Sequence, residues 1–256
     1  MKKISLALIG AIVCLLTSCF GEIGEYHEYW YYATIESTPT SVSLREYYTG
    51  DKFSKIENLQ YPEHLGTFKL EDAPIALVKI GVDIDAAYNQ KLSLLEAYKV
   101  EISSITHEVP TAIQPLSSLV PVFESFNYYP TVWVQKGYLN VCPNIPAQEA
   151  GQFYLTPEKV KNDTLIFRLD ASYKEDASVP SSKNLFYDLR TLRDTANTDS
   201  DLRAKMREAL NAIEQHRNDS MLIGIKYEEI EYNFNYLGKD TIRTKYHFGN
   251  YFKCNF

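Results

Sequence analysis

The sequence predicts a mainly β protein in two β-rich parts, with one α-helix packed on the second. Three observations carry that expectation. Short alternations of apolar and polar residues recur along most of the chain, turn-forming residues separate them, and only the stretch near residue 200 has a helical period.

The first strand signal is "YWYYATIES" (29–37), aromatic and β-branched throughout. "SVSLREYY" (41–48) alternates, with Val42 and Leu44 opposite Ser41, Ser43 and Arg45. "APIALVKIGVDID" (73–85) alternates through Ile75 and Leu77, then through Ile80, Val82 and Ile84. That shift of phase predicts a β-bulge in this strand. "AYKVEISSI" (97–105) sets Tyr98, Val100 and Ile102 against Lys99, Glu101 and Ser103. Short strands this closely spaced suit a small closed barrel or a sandwich over 28–107.

Residues 108–130 carry four of the eleven prolines, at 110, 115, 121 and 130. Each removes a backbone donor and turns its predecessor away from helix, so the segment reads as a linker. Beyond it, 131–256 reads as a second β-rich domain. "TVWVQKGYLNV" (131–141) is two strands about a tight turn at Lys136-Gly137, and "DTLIFRLDASY" (163–173) and "NLFYDLRTL" (184–192) follow. A helix is expected over 200–217, with a capping box from Thr198 to Asp201 and an apolar stripe of Leu202, Met206, Ala209, Leu210 and Ile213. The chain ends in a long hairpin over 220–252 that turns near Leu237 to Asp240.

The N-terminus reads as an address. Lys2 and Lys3 precede an apolar run from Ile4 to Leu16, too short for a bilayer span, and Leu16-Thr17-Ser18-Cys19 has the form of a bacterial lipobox. Residues 1–18 are therefore expected to be a signal peptide, Cys19 the acylated first mature residue, and 19–27 a tether. More than one acyl chain gives stable anchoring where a single chain does not. Phe20 stands where a retention signal for the inner membrane would place Asp, which favours the outer membrane and leaves its face open. Loss of Lys2 and Lys3 takes the net charge from −7 to −9, a balance that argues against nucleic acid and against docking on anionic lipid.

Cys14 leaves with the leader and Cys19 is acylated, so Cys142 and Cys254 remain as candidates for a disulfide or as two free thiols. His27, His64, His107, His216 and His247 have no metal-ligand spacing, and no nucleophile elbow, zinc motif or phosphate loop is present. Asp83 and Asp85 lack the further oxygen ligands of a calcium loop, and of Glu228, Glu229 and Glu231 only the last two share a strand face. No catalytic residue, metal or cofactor is expected. The excess lies in aromatics: 20 Tyr, 12 Phe and 2 Trp, densest in "EYHEYWYY", "FNYYP" and "EYNFNY". Most are expected to pack sheet faces. Tyr26, Tyr29 and Trp30 near the anchor, and Tyr128 and Tyr129, are the candidates for a binding surface. Thr164, Thr195, Ser220 and Thr241 each follow Asp and precede an apolar residue, which makes them candidate O-glycosylation sites.

The lipobox at 16–19, "YYATIES", "VWVQKGYLNV", "DTLIFRLDA" and the ending "IGIKYEEI…KYHFGNYF" together resemble the NigD-like lipoproteins of Bacteroidetes. The acidic spacer after Cys19 is thin, and the Gly-rich hairpin of that family near residue 45 is missing. The resemblance implies an OB-like domain and a β-sandwich in a cell-envelope lipoprotein with no assigned activity. The expected role is a non-catalytic structural or interaction component of the outer membrane, held by its lipid. The alternative is a glycan- or peptide-binding accessory protein with an aromatic surface.

Overall fold

The computed structural model describes residues 25–38, 41–50, 53, 56–57, 73–84, 90–106, 115–116, 118–119, 122–124, 127–129, 131–145, 149–174, 181–182, 184–193, 200–231 and 240–256. The expected leader, Cys19 and the first residues of the tether lie outside them, as do Thr195 and the cap at Thr198. The chain is mainly β, with one α-helix among the described residues, and it divides into two compact units between Lys99 and Val100.

The described residues of the N-terminal unit form one sheet. Strands β1 (Glu25–Thr38), β2 (Ser41–Glu46), β3 (Ile56–Glu57), β4 (Ile75–Ile84) and β5 (Gln90–Lys99) lie in the order β2-β1-β4-β5-β3. All neighbours are antiparallel except β3 and β5. Among the described residues the sheet does not close into the expected barrel. Closure requires a β2–β3 ladder, and the two described residues of β3 pair only with β5. One face is apolar: Ala33, Leu44, Ala76, Val78, Ile80, Val82, Leu94 and Ala97 are buried, with Tyr29, Tyr31 and Ile35 packed against them.

The expected bulge falls at the expected level but on the other strand. Lys79 pairs with Glu96 and Ile80 with Leu94, so the extra residue is Leu95 of β5. β4 keeps a single phase, with Ala76, Val78, Ile80 and Val82 inward, and Leu77 turned outward opposite Tyr98. The strand expected over 97–105 is also divided. β5 ends at Lys99, and β6 (Ile102–Ser104) joins the other unit.

In the C-terminal unit, β6 completes a sheet with β10 (Val132–Gln135), β11 (Tyr138–Val141) and β16 (Leu185–Asp188), in the order β10-β11-β16-β6. The larger sheet has the order β13-β14-β17-β18, from β13 (Glu149–Lys161), β14 (Thr164–Lys174), β17 (Ser220–Glu231) and β18 (Thr241–Lys253). Three short strands, β15 (Ser181–Ser182), β12 (Pro143–Ile145) and β7 (Ser118–Leu119), make a small sheet. A hairpin joins β8 (Val122–Glu124) to β9 (Asn127–Tyr129). Lys136 and Gly137 both have positive φ, 50° and 81°, the backbone that a two-residue hairpin turn requires.

One apolar core joins the two larger sheets. It takes Val132, Val134, Leu139, Val141 and Tyr187 from one, and Leu155, Leu165, Phe167, Leu169, Met221, Ile223 and Ile225 from the other. On β14 and β17 every one of these is an odd-numbered residue, so a single face of the larger sheet is covered. Helix α1 (Ser200–Gln215) packs beside β13, with Leu202, Met206, Ala209, Ala212 and Ile213 buried in the same core. The Pro-rich segment, expected as a linker, contributes to this unit where it is described. Leu116 is buried, its N–H donates to Glu228 O at 2.7 Å, and its carbonyl accepts from Ile230 N–H at 2.9 Å.

Candidate aromatic binding face on the N-terminal sheet

The face of the N-terminal sheet opposite its core is built by strand parity. On β1 it presents Tyr26, Glu28 and Trp30, which the register sets beside Asp83, Gly81 and Lys79 of β4. On the far side of β4, Leu77 faces Tyr98 and Lys79 faces Glu96. Tyr26 and Tyr98 are more than half exposed, at 54% and 53%.

Lys79 is the centre of this face. Its Nζ lies 2.5 Å from Glu28 and 3.4 Å from Glu96, so one ammonium joins carboxylates on the two flanking strands. Hydrogen bonding to Glu28 holds the ammonium above the usual lysine range. The same group sits 5.8 Å from the centre of the Trp30 ring, within cation–π range. Trp30 and Tyr98 stand 5.8 Å apart with their planes tilted by 34°. The Tyr98 hydroxyl donates to Glu96 at 2.7 Å and the Tyr26 hydroxyl to Glu28 at 3.3 Å. A Cβ on Gly81 would stand 2.7 Å from the Tyr26 hydroxyl oxygen, so glycine leaves room for that side chain to cross β4. Flat aromatic faces, two carboxylates and an ammonium offer stacking and hydrogen bonding. Among the described residues no three His, Cys, Asp or Glu side chains come together to hold a metal.

Two of the expected aromatics, Tyr26 and Trp30, therefore come together on this face. Tyr29 does not: it points to the other side, with His27 at 5.9 Å and Tyr31 at 6.3 Å, against the core. Adjacent residues of a strand face opposite ways, so nearness in sequence misleads here. Tyr128 and Tyr129 lie in β9, paired with Phe123 and Val122. Sequence reasoning missed Tyr98, Lys79, Glu28 and Glu96. Tyr98 was hidden by the alternation over 97–105, which places it inward when Ala97 is the core residue.

No protein-family model matches the chain, and no curated protein matches it. One solved structure does, described as "Putative TOXIN related protein" from Parabacteroides distasonis. It is 12% identical, with a TM-score of 0.42, over 86% of this chain and 93% of that one.

Of the paired carboxylates, Glu229 and Glu231 share a face as expected and are tied to β18. Lys245 lies 3.7 Å from Glu229 and 3.1 Å from Glu231, and Arg243 lies 3.0 Å from Glu231. Thr164, Ser220 and Thr241 each open a strand. Ser220 and Thr241 are exposed, and Thr164 is half-buried beside Asp163.

Cys142 and Cys254 are both buried, and no disulfide bond joins them. Burial pushes the Cys254 thiol up to about 11, so it stays protonated and unreactive at neutral pH. A thiol reagent is expected to find neither cysteine in the folded protein and both in urea without reductant. A count of zero in urea would mean that the two are bridged.

Proposed function

We propose that this chain is a lipid-anchored interaction protein of the bacterial outer membrane, of NigD-like type, without catalytic activity. The anchor is Cys19, and a partner in the envelope binds the outer face of the N-terminal sheet. The observation that carries the reading is Lys79 held between Glu28 and Glu96 beside Trp30, which in turn stands against Tyr98. That face is pre-ordered, so a ligand meets rings and charges already in place. The strand order, with its one parallel pair β3–β5, supports an OB-like reading that lacks only the β2–β3 seam. OB folds bind oligosaccharides and oligonucleotides on an exterior face, which is an analogy of fold. The acidic balance disfavours the nucleic acid and leaves a glycan or peptide.

Two experiments test the two halves of this reading. Labelled palmitate is expected to enter the native protein in bacterial cells and not Cys19→Ala, which should leave the membrane fraction. Equal partitioning of the two would remove the anchor. Protease shaving of intact cells then assigns the face of the membrane: loss of the protein while a periplasmic control survives places it outside. For the binding half, an array of envelope glycans and peptides is probed with the wild type and with Trp30→Ala. Ligands retained equally by both would remove the N-terminal face from the reading.

A further inference from the structure

The larger sheet of the C-terminal unit has one face in the core and one outside. The register sets Tyr246 beside Lys226, Phe248 beside Gly224 and Tyr251 beside Leu222, and these lie next to Arg168, Ile166 and Thr164 of β14. All belong to the outer face, since the core takes Met221, Ile223, Ile225 and Phe252. The three rings form a file along the edge strand β18, exposed by 43%, 55% and 61%.

Phe248 has no polar tip to draw it into water, and its position is specific. A Cβ on Gly224 would stand 3.0 and 3.1 Å from two of its ring carbons, and 3.5 Å from Ile166. The ring therefore lies over the bare backbone of β17, one side against the sheet and the other toward solvent. Cover for a sheet glycine accounts for Phe248. It does not account for Tyr246 and Tyr251, which flank it and are exposed as well.

Beside the file stands a band of fixed charges. Lys226 Nζ lies 2.6 Å from Glu158, and Arg168 Nε lies 2.8 Å from Asp170 and 2.9 Å from its second oxygen. Arg168 Nη2 sits 3.9 Å from Glu228, beyond hydrogen-bond length. Donors and acceptors are thus held along one flank of an apolar strip that is one ring wide. From Tyr246 to Tyr251 the strip spans four residues of β17, from Lys226 to Leu222, or about 13 Å at the rise of a strand.

We propose that this outer face binds a linear, uncharged oligosaccharide. The C–H face of a pyranose is apolar and slightly positive, and it stacks on the negative face of an aromatic ring. Equatorial hydroxyls at the rim of the sugar reach sideways, toward Arg168, Glu228, Lys226 and Glu158. A file of single rings matches a ribbon-like chain of sugars. A protein partner would instead bury a clustered apolar centre. Three carboxylates against two cations in the band disfavour nucleic acid and anionic glycans. The site is separate from the N-terminal face and does not rest on the lipid anchor.

The test is calorimetric titration of the full chain with neutral hexasaccharides of glucose, mannose and N-acetylglucosamine, and with an oligogalacturonate as the anionic control. At least one neutral hexasaccharide is expected to bind, and Tyr246→Ala/Tyr251→Ala to weaken it about tenfold or more with an unchanged melting temperature. Trp30→Ala is expected to leave that affinity unchanged, which separates this site from the N-terminal face. Phe248→Ala, which uncovers Gly224, serves as a second variant. The proposal is overturned if none of the neutral sugars binds, if only the anionic one does, or if the affinity survives loss of both tyrosines. Loss of affinity in Trp30→Ala alone would assign the sugar to the N-terminal sheet and likewise overturn it.

Discussion

Asn250→Ala is expected to lower the unfolding free energy by about 2–4 kcal/mol, because it leaves two buried backbone groups without partners. Val134 N–H donates to Asn250 Oδ1 at 2.7 Å, and Asn250 Nδ2 donates to Val134 O at 2.9 Å. β10 is the edge of its sheet, so these groups of Val134 point away from its partner β11. The carboxamide supplies one donor and one acceptor at the place where a neighbouring strand would supply a peptide group. Val134 is 1% exposed, so water does not replace it. Asn250→Asp keeps an acceptor, loses the donor and sets a carboxylate against the Val134 carbonyl, and it should be no better tolerated than alanine. Urea unfolding followed through Trp133 fluorescence reads the effect. A loss below about 0.5 kcal/mol would mean that the pair contributes little, as a surface substitution does.

The neighbouring residue gives the second large effect for the opposite reason. Gly249→Ala is expected to cost about 3 kcal/mol by overpacking. A Cβ there would stand 2.5 Å from the carbonyl oxygen of Val132, 2.9 Å from Val132 Cγ1 and 3.0 Å from Ile223 Cγ2. The nearest atom is backbone and does not rotate away, so β18 and β10 must separate. Gly224→Ala is the control. Its added carbon meets the Phe248 ring, an exposed side chain free to swing aside, and the cost should stay below about 1 kcal/mol. The pair Gly249→Ala/Asn250→Ala should cost less than the sum of its parts, since either change alone opens the same seam. Equal urea midpoints for Gly249→Ala and Gly224→Ala would show that the seam yields as easily as a side chain.

Much of the C-terminal unit was legible locally. The stripe of Leu202, Met206, Ala209 and Ile213 is the buried face of α1, and Lys136-Gly137 is the turn, since helix period and turn backbone depend on residues a few places apart. Phase and partner were less legible. The bulge read into β4 is Leu95 of β5, because a register shift is shared by two strands and either can carry the extra residue. The candidate face suffered from the same ambiguity. Tyr26 and Trp30 were found because they lie two turns of alternation apart on one strand, whereas Lys79 and Tyr98 reach them from strands about 50 and 70 residues on, which only the register specifies.

By itself, the sequence determined that the chain is mainly β with a helix near residue 200, where several of the longer strands lie, and that aromatics would be abundant on their faces. The tertiary structure decided which faces are covered. It sent Tyr29 inward and Tyr26 outward, and it placed Ile102–Ser104 beside β16 in parallel. It also brought Asn250 to Val134 across 116 residues of chain. Alternation with a period of two states that a strand has two unlike faces. Which of them meets a core, and which is left to a ligand, depends on neighbours that are distant in sequence.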